Sequence, residues 1–361
     1  MLPLKTFLTQ KLQRSNDTSG AVTTLNNMLK GYDVLKPVAV LPDFTESSTL
    51  PVGTTTILKN NKALNPSFVG MDIGCGYQMF TMEINPKRFY KKGKFKYDST
   101  LAFIQELSAQ IFLPQKKQDP YLGTIGKGNH FINMYVVQDV FNRDVLESTG
   151  ITSKSVSFLI HTGSRVKGYD THQAFAELYA KNELSHEDFN EKYLAAFAEA
   201  KDYALQNRSE LRRIITEYLD DYQAIFIFDK AHNNIEPFGN DAFKIQKGTA
   251  SLEQGELFMI PSTATGNAYL VRGKEGLAQS YNTINHGCGR RYTRSQMFSK
   301  LRKTNFESMF NGIAMNVPYK QMIEEVPTAY KNIEDVIASV EEFNLAEKIA
   351  TFRPLGLIVE R

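Results

Sequence analysis

The residues best placed to do chemistry are an aspartate and a cysteine three positions apart in Val69-Gly70-Met71-Asp72-Ile73-Gly74-Cys75-Gly76-Tyr77. Glycine accepts positive φ and close backbone approach, so this loop can fold tightly and aim both side chains at one point. A thiolate beside a carboxylate suits a divalent metal. Alone, such a stretch is more often a tight turn around a buried, inert thiol. The histidines change that balance. The chain has six, and four of them (His130, His161, His232 and His286) fall in Gly-, Asn- or Ser-rich turns beside apolar strands. Core packing rarely places imidazoles there, whereas imidazole, thiolate and carboxylate are the common donors to transition metals. Asp72, Cys75 and three or four imidazoles are too many for one tetrahedral ion. They fit two, with the Cys75 thiolate able to bridge. A metal pair suits phosphoryl transfer, because it stabilises both the attacking and the leaving oxygen.

Four further turns offer free backbone N–H groups and cations: residues 126–129, Gly163-Ser164-Arg165, Lys247-Gly248-Thr249 and residues 287–290. Each by itself reads as an ordinary surface turn. Four of them beside the metal donors point to phosphate as the thing held.

The elements that must position these groups alternate along the chain. Strand patterns fall at Val38–Leu41 (ending at Pro42-Asp43), Val52–Leu58, Tyr77–Ile84, Phe131–Val137, Val156–Ile160, Ala224–Phe228, Leu257–Thr263 (ending in hydroxyls) and Ala268–Gly273, with a final short one at Leu355–Val359. Helical spacing appears at Ala21–Leu29, Leu101–Phe112 and Ile333–Val340, and over a long stretch from Thr171 to Leu219. Within that stretch Ser185-His186-Glu187-Asp188 resembles a capping box, which makes His186 a first-turn surface residue. His172 is expected at a similar helix start, and neither histidine is assigned a chemical role. Asn207-Arg208 and Arg212-Arg213 read as a basic edge. The alternation predicts a mixed α+β fold. Without repeats or a Pro/Ser-rich linker, the simplest reading is one catalytic domain over 1–361, with mixed sheets around a metal-lined cleft and a helical insertion at 171–220.

Composition bounds the rest. With 361 residues, 42% of them hydrophobic, the chain can bury a large core. A net charge of +3 excludes a polycation, so nucleic acid must be met by a local patch. Two distant cysteines, Cys75 and Cys288, argue for reduced thiols rather than a disulfide framework. No signal peptide and no apolar run long enough to span a bilayer is legible, so a cytoplasmic location without a membrane partner is expected.

Taken together, Gly70-Met71-Asp72-Ile73-Gly74-Cys75-Gly76, Gly126-x-Gly-Asn-His130-Phe131, His161-x-Gly-Ser-Arg165, His232-Asn233, Lys247-Gly248 and His286-Gly-x-Gly-Arg290 resemble, in order, the motifs of RtcB-type RNA ligases. The resemblance runs from about Pro42 to the C-terminus, and the chain looks like a short, compact branch. The family seals RNA 3′-phosphate or 2′,3′-cyclic phosphate ends to 5′-hydroxyl ends with GTP and Mn²⁺. By that resemblance His286 carries GMP, and Asp43 orients it. Asp72, Cys75, His130, His161 and His232 hold two Mn²⁺ ions. Asn129, Asn233, Lys247, Thr263 and Arg290 meet nucleotide or phosphate, and Arg165 and Arg294 meet the RNA ends. The chain departs from the family pattern at Asn133, Ala268 and Val359, positions expected to face guanine, which leaves the donor base open. A metal-dependent phosphodiesterase acting on cyclic phosphate ends and a non-catalytic RNA-end-binding protein are the competing readings. The soft donor set further predicts that Zn²⁺ competes with Mn²⁺.

Overall fold

The computed structural model describes residues 2–91, 94–113 and 119–361. Its main sheet has eight strands. Leu257–Ile260, Ala268–Gly273, Ala346–Ile358, Phe131–Val140, Val156–Thr162, Gly76–Met82 and Ala224–Ala231 follow one another antiparallel across it, and Ala314–Met315 pairs parallel with the edge of Ala346–Ile358. Antiparallel neighbours run in opposite senses, so the start of one strand lies beside the end of the next. That places the start of Phe131–Val140, the end of Val156–Thr162, the start of Gly76–Met82 and the end of Ala224–Ala231 at one edge. The register is direct: His161 pairs with both Phe131 and Tyr77.

A second sheet has five strands, in the order Leu4–Thr6, Val38–Thr45, Val52–Lys59, Ala242–Lys247, Asn233–Pro237. The chain crosses from one sheet to the other at a single residue. Ala231 ends a strand of the first, Asn233 begins a strand of the second, and His232 is the joint. The cleft between the sheets is therefore lined by strand ends.

Helices close the back of the main sheet. Arg165–Lys181 and His186–Tyr218 pack on each other, and the longer one also lies on Val156–Thr162 and Gly76–Met82. Its buried residues, including Tyr193, Phe197, Ala200, Ala204, Leu211 and Ile215, recur at three- and four-residue spacing, the stripe a core-facing helix needs. Ser185 starts it, its hydroxyl accepting from the Asp188 N–H at 3.1 Å, which puts His186 in the first turn as expected.

Several expectations are corrected. The helical stretch begins at Arg165 rather than Thr171, so His172 lies inside a helix and not at its start. Asn207 and Arg208 form no basic edge: both belong to the buried stripe, and Arg208 is only 2% exposed. The last strand runs over 13 residues from Ala346, not five. Pro354 had hidden it, and it is tolerated because the register slips between Pro354 and Gly356. The Val38 strand continues through Pro42 and Asp43 to Thr45, also by a break in register.

Candidate active site

Five side chains meet at the shared edge of the main sheet. Cys75 Sγ lies 3.4 Å from His130 Nε2 and 3.2 Å from His161 Nε2. His161 Nε2 is 3.3 Å from His232 Nε2, and Asp72 Oδ2 is 3.0 Å from His130 Nε2. The donor atoms of Cys75, His130 and His161 all lie within 4.8 Å of one another, and all three residues are buried. Glycine permits the closeness: a Cβ on Gly163 would stand 2.2 Å from Asp72 Oδ1.

Hydrogen bonds set how these groups face each other. His161 Nδ1 lies 3.0 Å from the Asn129 carbonyl, which can only accept, so Nδ1 carries the proton and Nε2 turns a bare lone pair inward. Burial, with His130 and His286 nearby, holds His161 well below the usual histidine range. Burial, then His286 and His161, does the same for His232. Burial and the Asp72 charge push the Cys75 thiol well up. Burial raises the Asp72 carboxyl, but His130, the Cys75 hydrogen bond and His161 together hold it below its ordinary range. A buried, neutral His161 with an inward lone pair, set beside a thiol, two further imidazoles and a carboxylate, is a ready ligand for a cation. The donor set, thiolate with imidazoles and a carboxylate, fits a borderline or soft divalent ion. At His130 the outer nitrogen accepts from Arg165 NH1 at 3.2 Å, so Arg165 must release it when a cation takes Nε2.

His286 faces this cluster from the other wall. Its ring centroid is 4.5 Å from that of His232, and the Tyr77 ring lies nearly parallel to it at 6.2 Å. His286 Nδ1 lies 2.7 Å from Asp43 Oδ2 and 2.8 Å from the Gly248 carbonyl. Both partners are acceptors, so the proton sits on Nδ1 and Nε2 is left as a nucleophilic lone pair. The cleft between the walls has a volume of about 890 Å³, at the upper end of small-molecule sites.

Two buried residues brace the metal-side wall. Arg208 donates to Asp229 Oδ1 and Oδ2, to the Gly74 carbonyl and to the Thr162 carbonyl, gripping the backbone on either side of the cluster. Asn207 Nδ2 donates to the Gly163 carbonyl at 3.2 Å, and its Oδ1 accepts from the Gly123 N–H. Their place in the apolar stripe of the long helix was the signal available in the sequence.

Comparison with known proteins decides the family. A family model described as tRNA-splicing ligase RtcB matches residues 102–360. The chain belongs to the RtcB family. A tRNA-splicing ligase RtcB of Nanoarchaeum equitans is 23% identical over 460 residues, covering 99% of this chain and 95% of that relative. The RNA-splicing ligase RtcB2 of Escherichia coli is 23% identical over 337 residues, covering 89% and 87%. With the tRNA-splicing ligase RtcB of Pyrococcus furiosus the match is 25% over 289 residues, 66% of this chain and 30% of that one.

The other residues singled out from the RtcB motifs fall in several places. Asn129 and Thr263 line the cleft. Asn233 spans it: Nδ2 donates to the Asp72 carbonyl at 3.1 Å, and Oδ1 accepts from the Gly248 N–H at 3.1 Å. Lys247 Nζ donates to the Val69 carbonyl at 2.7 Å, and burial lowers its pKa. Arg290 lines the cleft, with its guanidinium engaged by the Tyr292 and Glu324 carbonyls and by Glu325. Arg294 is half-exposed at the rim, 3.5 Å from Glu325. Arg165 stands apart, its guanidinium turned to Gly126 and His130. Of the three departures, Asn133 and Val359 line the cleft. Ala268 does not share their position: it is fully buried in the sheet core, packed with Tyr269 and Phe352. Asn133 Nδ2 donates to the Tyr135 hydroxyl at 3.0 Å, while its buried Oδ1 has no partner.

Proposed function

We propose that this protein is an RNA ligase that joins RNA 3′-phosphate or 2′,3′-cyclic phosphate ends to 5′-hydroxyl ends, using GTP and two Mn²⁺ ions. One observation carries the reading: an imidazole with its proton pinned on Nδ1 by a buried carboxylate stands across a cleft from a cluster of a thiol, imidazoles and a carboxylate.

His286 Nε2 attacks the α-phosphorus of GTP, the bond to the bridging β-oxygen breaks, and pyrophosphate leaves. The ring gains positive charge as the P–N bond forms, and the Asp43 carboxylate offsets it. An oxygen of the RNA 3′-phosphate then attacks the same phosphorus and the P–N bond breaks, leaving GMP on the RNA end. The 5′-hydroxyl attacks the 3′-phosphate phosphorus, GMP departs, and the hydroxyl proton is lost to solvent. A 2′,3′-cyclic end first takes up water to give the 3′-phosphate. Asp72, Cys75, His130, His161 and His232 are the residues that would hold the metal ions. Bound there, divalent ions neutralise charge on phosphate oxygens. Asn129 and Thr263, which line the cleft, would meet the phosphates, and Arg294 the RNA at the rim. The unpartnered Asn133 Oδ1 supports contact with an N–H of the base, and GTP is the leading donor. Both cysteines are free, which supports a reducing compartment such as the cytoplasm.

Incubation with each α-labelled nucleoside triphosphate and Mn²⁺ tests this. Acid-labile, alkali-stable label is expected on wild type with GTP and absent from His286→Ala. Cleavage of cyclic ends without any label would favour the phosphodiesterase, and retained label in His286→Ala would remove that residue from its role.

A further inference from the structure

The strand carrying Asp43 does not run straight past His286. Ala39 and Val40 pair with Thr55 and Thr54, and pairing resumes only at Thr45 with Val52. Residues 41–44 have no partner in either neighbouring strand register, and Pro42 has no N–H to give. This bulge swings Asp43 toward His286, and it frees the carbonyls on either side of Asp43. Buried carbonyls need donors. Both find the same one: Lys331 Nζ, which donates to the Pro42 carbonyl at 3.1 Å and the Phe44 carbonyl at 2.6 Å.

Lys331 is itself fixed from the other side. Its backbone N–H donates to the Gly289 carbonyl at 2.9 Å, in the loop that carries His286. Gly289 presses on the bulge so closely that a Cβ there would meet the Asp43 carbonyl at 2.4 Å. Asn332, the next residue, caps the helix Ile333–Glu342, whose buried face anchors the segment. One residue therefore joins the Asp43 bulge, the His286 loop and a core helix. Charge points the same way. Asp43 is fully buried, Oδ2 is held by His286, and Oδ1 has no hydrogen-bond partner. An ionised carboxylate so enclosed needs a nearby cation. Lys331 is 4% exposed, and its charge acts on Asp43 and Cys288, the titratable groups it faces.

We propose that Lys331 is a positioning residue for the nucleotide-accepting imidazole: it staples the Asp43 bulge to the His286 loop and so sets the Asp43–His286 hydrogen bond. This rests on the reading of His286 as the residue that takes the nucleotide. It assigns Lys331 no contact with substrate.

The full-length chain is compared as wild type, Lys331→Met, Lys331→Arg, Asp43→Asn and Asp43→Asn/Lys331→Met. Label transfer from α-labelled GTP is followed, together with ¹⁵N shifts of the histidine rings without nucleotide or metal, and urea unfolding. Lys331→Met is expected to slow labelling on the order of 10²-fold. It should also move the His286 ring shifts from a fixed Nδ1–H form toward averaged tautomers, with Lys331→Arg recovering most of both. In the Asp43→Asn background Lys331→Met should cost under threefold more, because the staple has lost what it holds. Labelling by folded Lys331→Met within threefold of wild type, or full multiplication of the two effects, overturns the proposal. Should Lys331→Met not fold, Lys331→Gln, which keeps an N–H donor, carries the same comparison. If wild type takes no label, the function reading fails, and the ring shifts still decide whether Lys331 sets the hydrogen bond.

Discussion

His161 and His286 stand on opposite walls of one cleft, each with its proton pinned on Nδ1 and a lone pair on Nε2. They differ in what does the pinning. His161 is held by a neutral backbone carbonyl, that of Asn129. His286 is held by the Asp43 carboxylate as well as by a carbonyl. A carbonyl fixes a tautomer and adds little charge, which suits a ligand that stays neutral on a metal. A carboxylate also stabilises an imidazole that is becoming cationic, which suits a nucleophile. The supports differ in the same way. The first wall is regular antiparallel sheet braced by an arginine–aspartate pair, whereas the second is a bulge and a loop joined by a lysine.

The sharpest way to break the comparison is to remove one group from each wall. Cys75→Ala should abolish both metal retention and nucleotide labelling, with metal content read by mass spectrometry of the purified protein. His286→Ala should lose at least 10³-fold in labelling while keeping its metal. If His286→Ala loses metal in parallel, the two walls are one site and the division of labour is wrong. Asp43→Asn keeps the shape but not the charge. A loss of 10²- to 10⁴-fold in labelling with unchanged metal content is expected, the range seen when a histidine's orienting carboxylate is neutralised. A loss under fivefold would make Asp43 equivalent to the Asn129 carbonyl.

Why the metal wall was legible from residue order alone, and the nucleophile wall only in part, follows from the same difference. Cys75, His130, His161 and His232 each fall where an apolar run meets a turn, so residue order marks them as candidate donors, and the antiparallel register then brings those strand ends to one edge. Asp43 became legible only through the resemblance to RtcB ligases, because a bulge leaves no periodic trace and Pro42 looked like a strand terminator. Lys331 was invisible for a simpler reason. A lysine just before a helix cap reads as solvated, and only the three-dimensional break in the Asp43 strand creates the carbonyls that bury it. Arg208 does carry a signal: it falls four residues after Ala204 and three before Leu211 in an apolar stripe, so its spacing, not its charge, tells where it lies.

That arginine gives a test of the first wall's frame. Arg208 and Asp229 have side chains 2% and 8% exposed. Arg208→Met strands a buried carboxylate and removes donors from the Gly74 and Thr162 carbonyls. A stability loss on the order of 3–5 kcal/mol by urea unfolding is expected. Arg208→Met/Asp229→Leu should restore most of it, since an apolar pair of similar volume replaces the charges. Metal affinity should stay weakened in the double variant, because the carbonyls flanking Cys75 and His161 still lack their clamp. A loss under 1 kcal/mol in the single variant would mean the helix is not what holds the cluster.

The smallest effect separates the walls by pH. Burial pushes Lys331 from its ordinary 10.5 down to about 8. A lysine whose folded pKa lies below its unfolded value sheds its proton first in the folded state. Between about pH 8 and 10.5 the unfolded chain then binds more protons, so stability attributable to this group rises with pH. Below pH 8 both states are protonated and the cost of burying the charge is felt in full. The unfolding free energy of wild type minus that of Lys331→Met should therefore climb by about 2 kcal/mol from pH 7 to 9.5. A flat or falling difference would mean that Asp43 and Cys288 hold the ammonium charged throughout. The same subtraction with Arg208→Met should show no slope, because a guanidinium keeps its proton across the whole window. A clamp that titrates on one wall and one that does not on the other is a difference that neither shared burial nor shared hydrogen bonding to carbonyls can produce.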